Sequence, residues 1–372
     1  MESLSKVSGL ACSSVGVCLV LAACLAYAGP ARGQTQGTQV SGVASSDAPF
    51  RKVVVGTMMY PMYGDYPGLD PRLEALAGFV DRMAAEADRK YHVGLDLAVL
   101  PESAVTGEPR GKPATHALPL QGKVVDAMGA AARKNHTYMV VPMGLAEDPE
   151  HGVYTNAGVL LDREGKVAGI YRKVHLDAGQ PGDQPQSLEG GLTPGRDFPV
   201  FDCDFGKVGI QICMDVFFDD GWEALARKGA EIVAFPSQTP QTIRPRRLAL
   251  QNGYFIVSST WKNNASVFDP TGDLIAQTTE PSSALVEQID LSYALLPWQP
   301  RLENGKLFTD TYGDKAGYRY SDAEDGGIFW SNDPSIPIMR MVRDLHLELL
   351  SENVERNREL QDKMRGGPPN EK

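Results

Sequence analysis

The sequence predicts an α/β fold with mixed sheets, and three observations carry that expectation. Short apolar runs alternate with amphipathic stretches along most of the chain, the pattern of strands and helices in sequence. Hairpin signals interrupt this alternation at two places, so the strands cannot all be parallel. Several strand-like runs are nearly continuous in apolar residues, which implies burial on both faces.

Arg51 to Met59 reads as the first strand, centred on Val53, Val54 and Val55. Pro71 to Lys90 follows with Leu73, Leu76, Val80, Met83 and Ala87 at helical spacing, and Pro71 suits a first helical turn. A second strand starts at Leu97 and ends at Glu102. Leu120 to Asn135 is the next amphipathic helix, and Tyr138 to Gly144 the next strand. Ala157–Leu161 and Val167–Arg172 flank Asp162-Arg163-Glu164-Gly165-Lys166, a hairpin turn. Val174 to Arg196 is a long connection rich in Gly, Pro and Gln, and loops of that length inside a domain are usually functional or disordered.

The alternation then resumes. Lys207 to Cys213 is a strand, Gly221 to Lys228 a helix, and Ile232 to Pro236 a buried strand. Ile243 to Asn252 is a helix that Gly253 can terminate, followed by a strand from Tyr254 to Ser259. Ser266–Phe268 and Leu274–Ala276 flank the turn Asp269-Pro270-Thr271-Gly272-Asp273, and Ala284–Val286 closes the core near Asp290. The main domain therefore runs over 51–295. Residues 296–372 form a C-terminal extension, with a Gly, Tyr and Asp-rich stretch from Thr311 to Trp330 expected to pack rather than gate. A charged helix is predicted from Met339 to Met364 with a stripe of Leu345, Leu349 and Val354.

The 372 residues, 42% hydrophobic and 22% charged, have the balance of an ordinary globular protein. A net charge of −11 argues against a general nucleic-acid binder. Residues 1–28 read as a signal peptide, with Ala26-Tyr27-Ala28 as a cleavage site, and 29–50 as a flexible linker. Leu21-Ala22-Ala23-Cys24 matches a lipobox, which would leave Cys24 as a lipid anchor. The expectation is export, to the periplasm or outside the cell; a wrongly assigned start would leave the protein cytoplasmic. Three of the five cysteines, Cys12, Cys18 and Cys24, lie in this leader. Cys203 and Cys213 remain, and a turn at Phe205-Gly206 would pair Cys203 near Val208, leaving two free thiols. The six His are scattered and no CxxC occurs, so neither a metal nor another cofactor is predicted.

Three strand-like runs end on reactive side chains. Leu97-Ala98-Val99-Leu100-Pro101 delivers Glu102, Gly169-Ile170-Tyr171-Arg172 delivers Lys173, and Val208-Gly209-Ile210-Gln211-Ile212 delivers Cys213. A thiol, a carboxylate and an ammonium form a coherent set for attack on a carbonyl-type carbon. Singly, each has a plainer reading. A strand cysteine is more often inert packing, and Cys203 keeps that reading. A Glu after Pro is usually solvated, and a lone Lys is usually on the surface. His175 invites a Cys–His dyad but reads better as structural. Asp215 suits bracing of the turn after Cys213, and Arg172 and Arg247 suit salt bridges.

With these three runs in this order, the chain resembles the nitrilase superfamily, the carbon–nitrogen hydrolases, from about Lys52 to Leu291. Leu188-Glu189 ahead of Thr193-Pro194-Gly195, and Gly229-Ala230-Glu231-Ile232-Val233 before Pro236-Ser237, reinforce the resemblance. It implies a four-layer α-β-β-α sandwich with two mixed sheets. It also implies a catalytic triad of Glu102, Lys173 and Cys213, with Glu189 as a supporting carboxylate and the Met214 backbone N–H as an oxyanion donor. The implied activity is hydrolysis of a non-peptide C–N bond in a small amide or N-carbamoyl amine, through a thioester on Cys213. Nitrile hydrolysis by the same triad is the alternative, and a non-catalytic binding protein of the same fold is the rival from another class. A homodimer or higher homo-oligomer is expected from the resemblance. One departure concerns specificity: relatives often carry Phe-Pro-Glu after the nucleophile, and here the residues are Phe218-Asp219-Asp220.

Overall fold

The structure is a computed structural model that describes residues 50–63, 66–107, 115–179 and 187–369. The predicted signal peptide, residues 29–49 of the predicted linker, and Cys24 lie outside the described residues. In chain order the elements are β1 (Lys52–Met59), α1 (Leu69–Tyr91), β2 (Leu97–Val99), α2 (Lys123–Asn135), β3 (Tyr138–Asp148), β4 (Val153–Leu161), β5 (Val167–Arg172), β6 (Val200–Cys203) and β7 (Gly206–Ile210). They continue with α3 (Asp219–Arg227), β8 (Ile232–Pro236), α4 (Ile243–Asn252), β9 (Phe255–Ser259), β10 (Ser266–Phe268), β11 (Leu274–Gln277), β12 (Ser283–Asp290) and β13 (Tyr293–Pro297). The last elements are α5 (Lys306–Tyr312), β14 (Ala316–Ser321), β15 (Gly326–Ser331), α6 (Ile338–Asp344) and α7 (Leu350–Arg365).

Two six-stranded mixed sheets form, with orders β12-β1-β2-β3-β4-β5 and β11-β10-β9-β8-β7-β6. The period-2 alternation of the strands assigns residues to layers. Val53, Val55, Leu97, Val99, Val140 and Leu160 point inward and meet Val208, Ile210, Ile232, Ala234 and Val257 between the sheets. Their neighbours Val54, Ala98, Met139, Val141 and Val159 face the opposite way, onto Leu76, Val80 and Met83 of α1 and Met128 and Ala132 of α2. On the far side, Val233, Phe235 and Ile256 pack against Trp222 and Leu225 of α3 and Leu248 and Ala249 of α4. The result is the expected α-β-β-α sandwich. Gly158 on β4 permits the close approach of the sheets, because a Cβ there would stand 3.0 Å from Ile210 Cγ2. At one end the sheets are joined by backbone: Thr260 N donates to Met58 O at 3.1 Å, and Tyr60 N to Thr260 O at 2.9 Å.

The extension builds a third sheet, β13-β15-β14, around Phe308, Phe329, Met341 and Val342. Tyr318 stacks on Phe329 there, in keeping with a packing role for the aromatic stretch. The single helix expected from Met339 to Met364 is in fact two, α6 and α7, broken at Leu345–Leu349. Leu345, Leu347 and Leu349 are all buried in the third core, a spacing of two that a continuous helix cannot place on one face. His346 takes a left-handed φ of 53° at the break. The hairpin of β6 and β7 is also tighter than expected. Cys203 pairs with Gly206, and Phe201 with Val208, so the register is shifted from the predicted one. Among the described residues, Cys203 and Cys213 are free thiols. Among the described residues no helix is long and apolar enough to cross a membrane.

Candidate active site

The strands stop short of the reactive residues. β2 ends at Val99 and β7 at Ile210, earlier than expected, so Glu102 and Cys213 sit on the turns that follow. This is the usual arrangement in α/β sheets, where loops at strand ends carry the chemistry on a rigid scaffold. Lys173 follows β5 directly. All three line one cavity of about 520 Å³, together with Asn156, Glu189 and Met214. The structure therefore brings together every predicted site residue, from turns of both sheets.

Lys173 is 2% exposed, and Glu102 likewise. The Lys173 ammonium donates to Glu102 Oε1 at 2.9 Å and to Glu189 Oε1 at 2.5 Å. Burial acts to neutralise this lysine, but the Glu102 and Glu189 charges outweigh it and raise its pKa, so it is charged at neutral pH. Its backbone is held on both sides: Lys173 N donates to Asn156 O at 2.8 Å, and Gly195 N to Lys173 O at 2.8 Å. Gly195 has no substitute here, since a Cβ would lie 2.1 Å from Arg172 O.

Cys213 is half-buried at the start of a 3₁₀ turn, Cys213–Phe217, with φ 45°. Burial pushes its thiol up to about 12, and the Glu102 charge adds to the shift, while the Lys173 charge and hydrogen bonds from Ser237 and the Gln238 backbone oppose it. The thiol is therefore protonated at neutral pH and needs a base to become a nucleophile. Met214 occupies the second position of the same turn, where a helix leaves N–H groups without an intrahelical partner.

Asp215 braces the turn, as expected. Its Oδ2 accepts the Ile212 N–H at 2.7 Å and the Tyr171 hydroxyl at 2.7 Å. Its Oδ1 accepts the His175 N–H at 3.0 Å and lies 2.9 Å from His175 Nδ1. That contact raises the His175 pKa, and the ring stacks on Phe218 with centroids 4.1 Å apart. His175 is thus held by Asp215 and is not among the residues lining the cavity. Arg172 and Arg247 form salt bridges with Glu147 and Asp219, both at 2.5 Å. Cys203 is not among the residues lining the cavity, and burial pushes its thiol up to about 12 as well.

Several site features escaped sequence reasoning. Asn156 donates from Nδ2 to Glu102 Oε1 at 2.9 Å and to Glu189 Oε2 at 3.1 Å. The signal was present, a polar residue entering an otherwise apolar strand run, but the strand was expected to begin one residue later. Ser103, Glu189, Cys213 and Gln241 all line the cavity with φ between 43° and 52°. Non-glycine residues held in this region cost on the order of 1–3 kcal/mol each and concentrate at functional sites. His116, Gln238 and Phe217 complete parts of the wall from loops that carry no periodic signal.

Comparison with known proteins agrees with this geometry. The sequence pattern of the family described as Carbon-nitrogen hydrolase matches residues 66–295. An omega-amidase of Danio rerio is 25% identical over 219 residues, covering 54% of this chain and 78% of the relative. A deaminated glutathione amidase of Homo sapiens is 28% identical over 199 residues, covering 47% of this chain and 60% of the relative. Among solved structures, a branch 10 member of the nitrilase superfamily from Saccharomyces cerevisiae superposes with a TM-score of 0.56 at 22% identity, covering 66% of this chain and 93% of that one, which shows the same fold. The chain belongs to the carbon–nitrogen hydrolase family.

Proposed function

We propose that this hydrolase cleaves the C–N bond of a small amide or N-carbamoyl amine with Glu102, Lys173 and Cys213 as its triad. The observation that carries the reading is the buried ammonium of Lys173, held between Glu102 and Glu189 in the cavity that Cys213 lines. Cys213 Sγ attacks the substrate carbonyl carbon while Glu102 removes the thiol proton. The oxyanion that forms is stabilised by Lys173 and the Met214 N–H, and loss of one such donor costs about 3 kcal/mol. The C–N bond then breaks, the proton on Glu102 passes to the departing nitrogen, and ammonia or an amine leaves a thioester on Cys213. Water attacks the thioester, giving its proton to Glu102, and the C–S bond breaks. The proton returns to sulfur and the acid departs.

Substrate charge follows from the wall. Among the described lining residues Lys173 is the one lysine or arginine, and it is committed to two carboxylates. Burial holds the His116 imidazole below its ordinary pKa, hence neutral at pH 7. Asp177 adds a further carboxylate to the lining. This favours a neutral or cationic amide over one bearing a free carboxylate. The oligomer, the export and the Cys24 anchor inferred from the sequence are carried forward as proposals. The test of the activity is ammonia release from parallel series of amides, N-carbamoyl amines and nitriles. Turnover of an amide or carbamoyl compound, lost in Cys213→Ala, supports the reading. Turnover of nitriles alone moves the assignment to nitrile hydrolysis, and no turnover of any series with unreactive Cys213 favours a binding protein.

A further inference from the structure

Two carboxylates, Glu102 and Glu189, are buried around a single ammonium, so one positive charge serves two negative ones. Such a cluster needs further donors, because a buried carboxylate without them takes up a proton. Asn156 supplies them. It is 6% exposed, and its Nδ2 bonds to an oxygen of each carboxylate. Between two anions the amide can only present its N–H groups, which fixes its orientation. Its carbonyl oxygen is consequently left buried and unpaired, at a cost.

The two bonds are distributed unevenly on Glu102. Oε1 accepts from both Lys173 and Asn156, whereas Oε2 is buried without any partner. We infer that Asn156 is a positioning residue of the reaction: by saturating Glu102 Oε1 and bridging to Glu189, it fixes the Glu102 carboxylate in place and leaves Oε2 as its sole proton-accepting oxygen. This inference rests on the triad reading above. Its backbone carbonyl also holds Lys173 N, and substitution leaves that bond in place, so a side-chain change isolates the bridge.

The test is the pH dependence of Cys213 alkylation by iodoacetamide, an amide-bearing electrophile, followed by mass analysis of the modified chain. Asn156→Leu keeps volume and removes both donors, and Asn156→Ser keeps one hydroxyl donor. The titratable groups lining the cavity around the bridge are Glu102, Glu189, Lys173, Cys213, Asp177 and His116. In Asn156→Leu, alkylation at pH 7 is expected to slow on the order of 10–100-fold, the range of a hydrogen bond to a charged group. Its acidic limb is expected to move up by about one pH unit, because the carboxylates have lost a donor. Asn156→Ser gives an intermediate shift and also serves where Leu fails to fold, with circular dichroism confirming each fold. An unmoved limb in a folded variant overturns the inference. Glu102→Gln separates the two failures. If it too leaves alkylation unchanged, the triad reading falls; if it slows alkylation while the Asn156 variants do not, only the role of Asn156 falls.

Discussion

The Tyr171 hydroxyl donates to Asp215 Oδ2 at 2.7 Å and accepts the Val174 N–H at 3.2 Å. Tyr171 is the penultimate residue of β5, the strand that delivers Lys173, and Asp215 holds the turn that carries Cys213. One fully buried hydrogen bond therefore joins the ammonium's strand in the first sheet to the thiol's turn in the second. Burial pushes the Tyr171 pKa well up, so the phenol remains a donor at all working pH values.

Tyr171→Phe removes this donor and keeps the ring. Asp215 is 0% exposed, and losing a hydrogen bond to a buried charged group costs about 1.5–3 kcal/mol. The expected result is an unfolding free energy lower by that amount, read from a reduced urea midpoint, and a reduced kcat with KM nearly unchanged. A fall in KM alone, or no change in stability, contradicts the coupling.

Glu102→Gln should act on Cys213 in two opposite ways. The Glu102 charge helps to hold the thiol up at about 12, so the variant titrates lower when thiolate absorbance is followed against pH. Turnover nevertheless falls, by the 10²–10⁴-fold typical of a lost general base. A variant with easier thiol ionisation and undiminished turnover would show that Glu102 is not the base.

Both thiols couple stability to alkaline pH. Their folded pKa values are raised to about 12, above the ordinary value near 8.5. A raised pKa means that the folded state holds the proton more tightly. Each contribution is therefore complete below the unfolded pKa and is lost as pH rises through the folded value. Urea midpoints measured from pH 8 to pH 11 should decline, and Cys203→Ala should flatten that decline relative to the parent.

Arg319 of β14 reaches across to the β10–β11 turn. It donates to Asp269 Oδ2 at 2.9 Å, while Asp269 Oδ1 accepts the Thr271 N–H at 2.8 Å. Asp269 is 0% exposed. Arg319→Met should cost about 1–3 kcal/mol, since a buried carboxylate oxygen loses its charged partner. Thermal melting reads the loss, with Asp269→Asn in the same background expected to recover part of it.

Patterned features of this protein were legible in its sequence and unpatterned ones were not. The layers follow from alternation: Val53 and Val55 against Val54, or Ile232 and Ala234 against Val233. The reactive residues were visible because each closes such a run. Asn156 was hidden because its role depends on two carboxylates 54 and 33 residues away, a proximity that only the fold creates. The break between α6 and α7 was missed for a related reason. Leucines at 345 and 349 fit a helix until Leu347 is also found in the core, and that burial is tertiary.

The left-handed backbone at Ser103, Glu189 and Gln241 sets a limit for engineering. Glycine at Ser103 or Gln241 would relax the main chain and raise the melting temperature, yet it would release the wall that shapes the cavity, whereas at Glu189 it would also strip a carboxylate from the buried Lys173 ammonium and destabilise the fold. Thermostability and catalytic efficiency should therefore trade against one another at Ser103 and Gln241, and libraries selected for heat resistance alone should drift toward sturdier, slower enzymes.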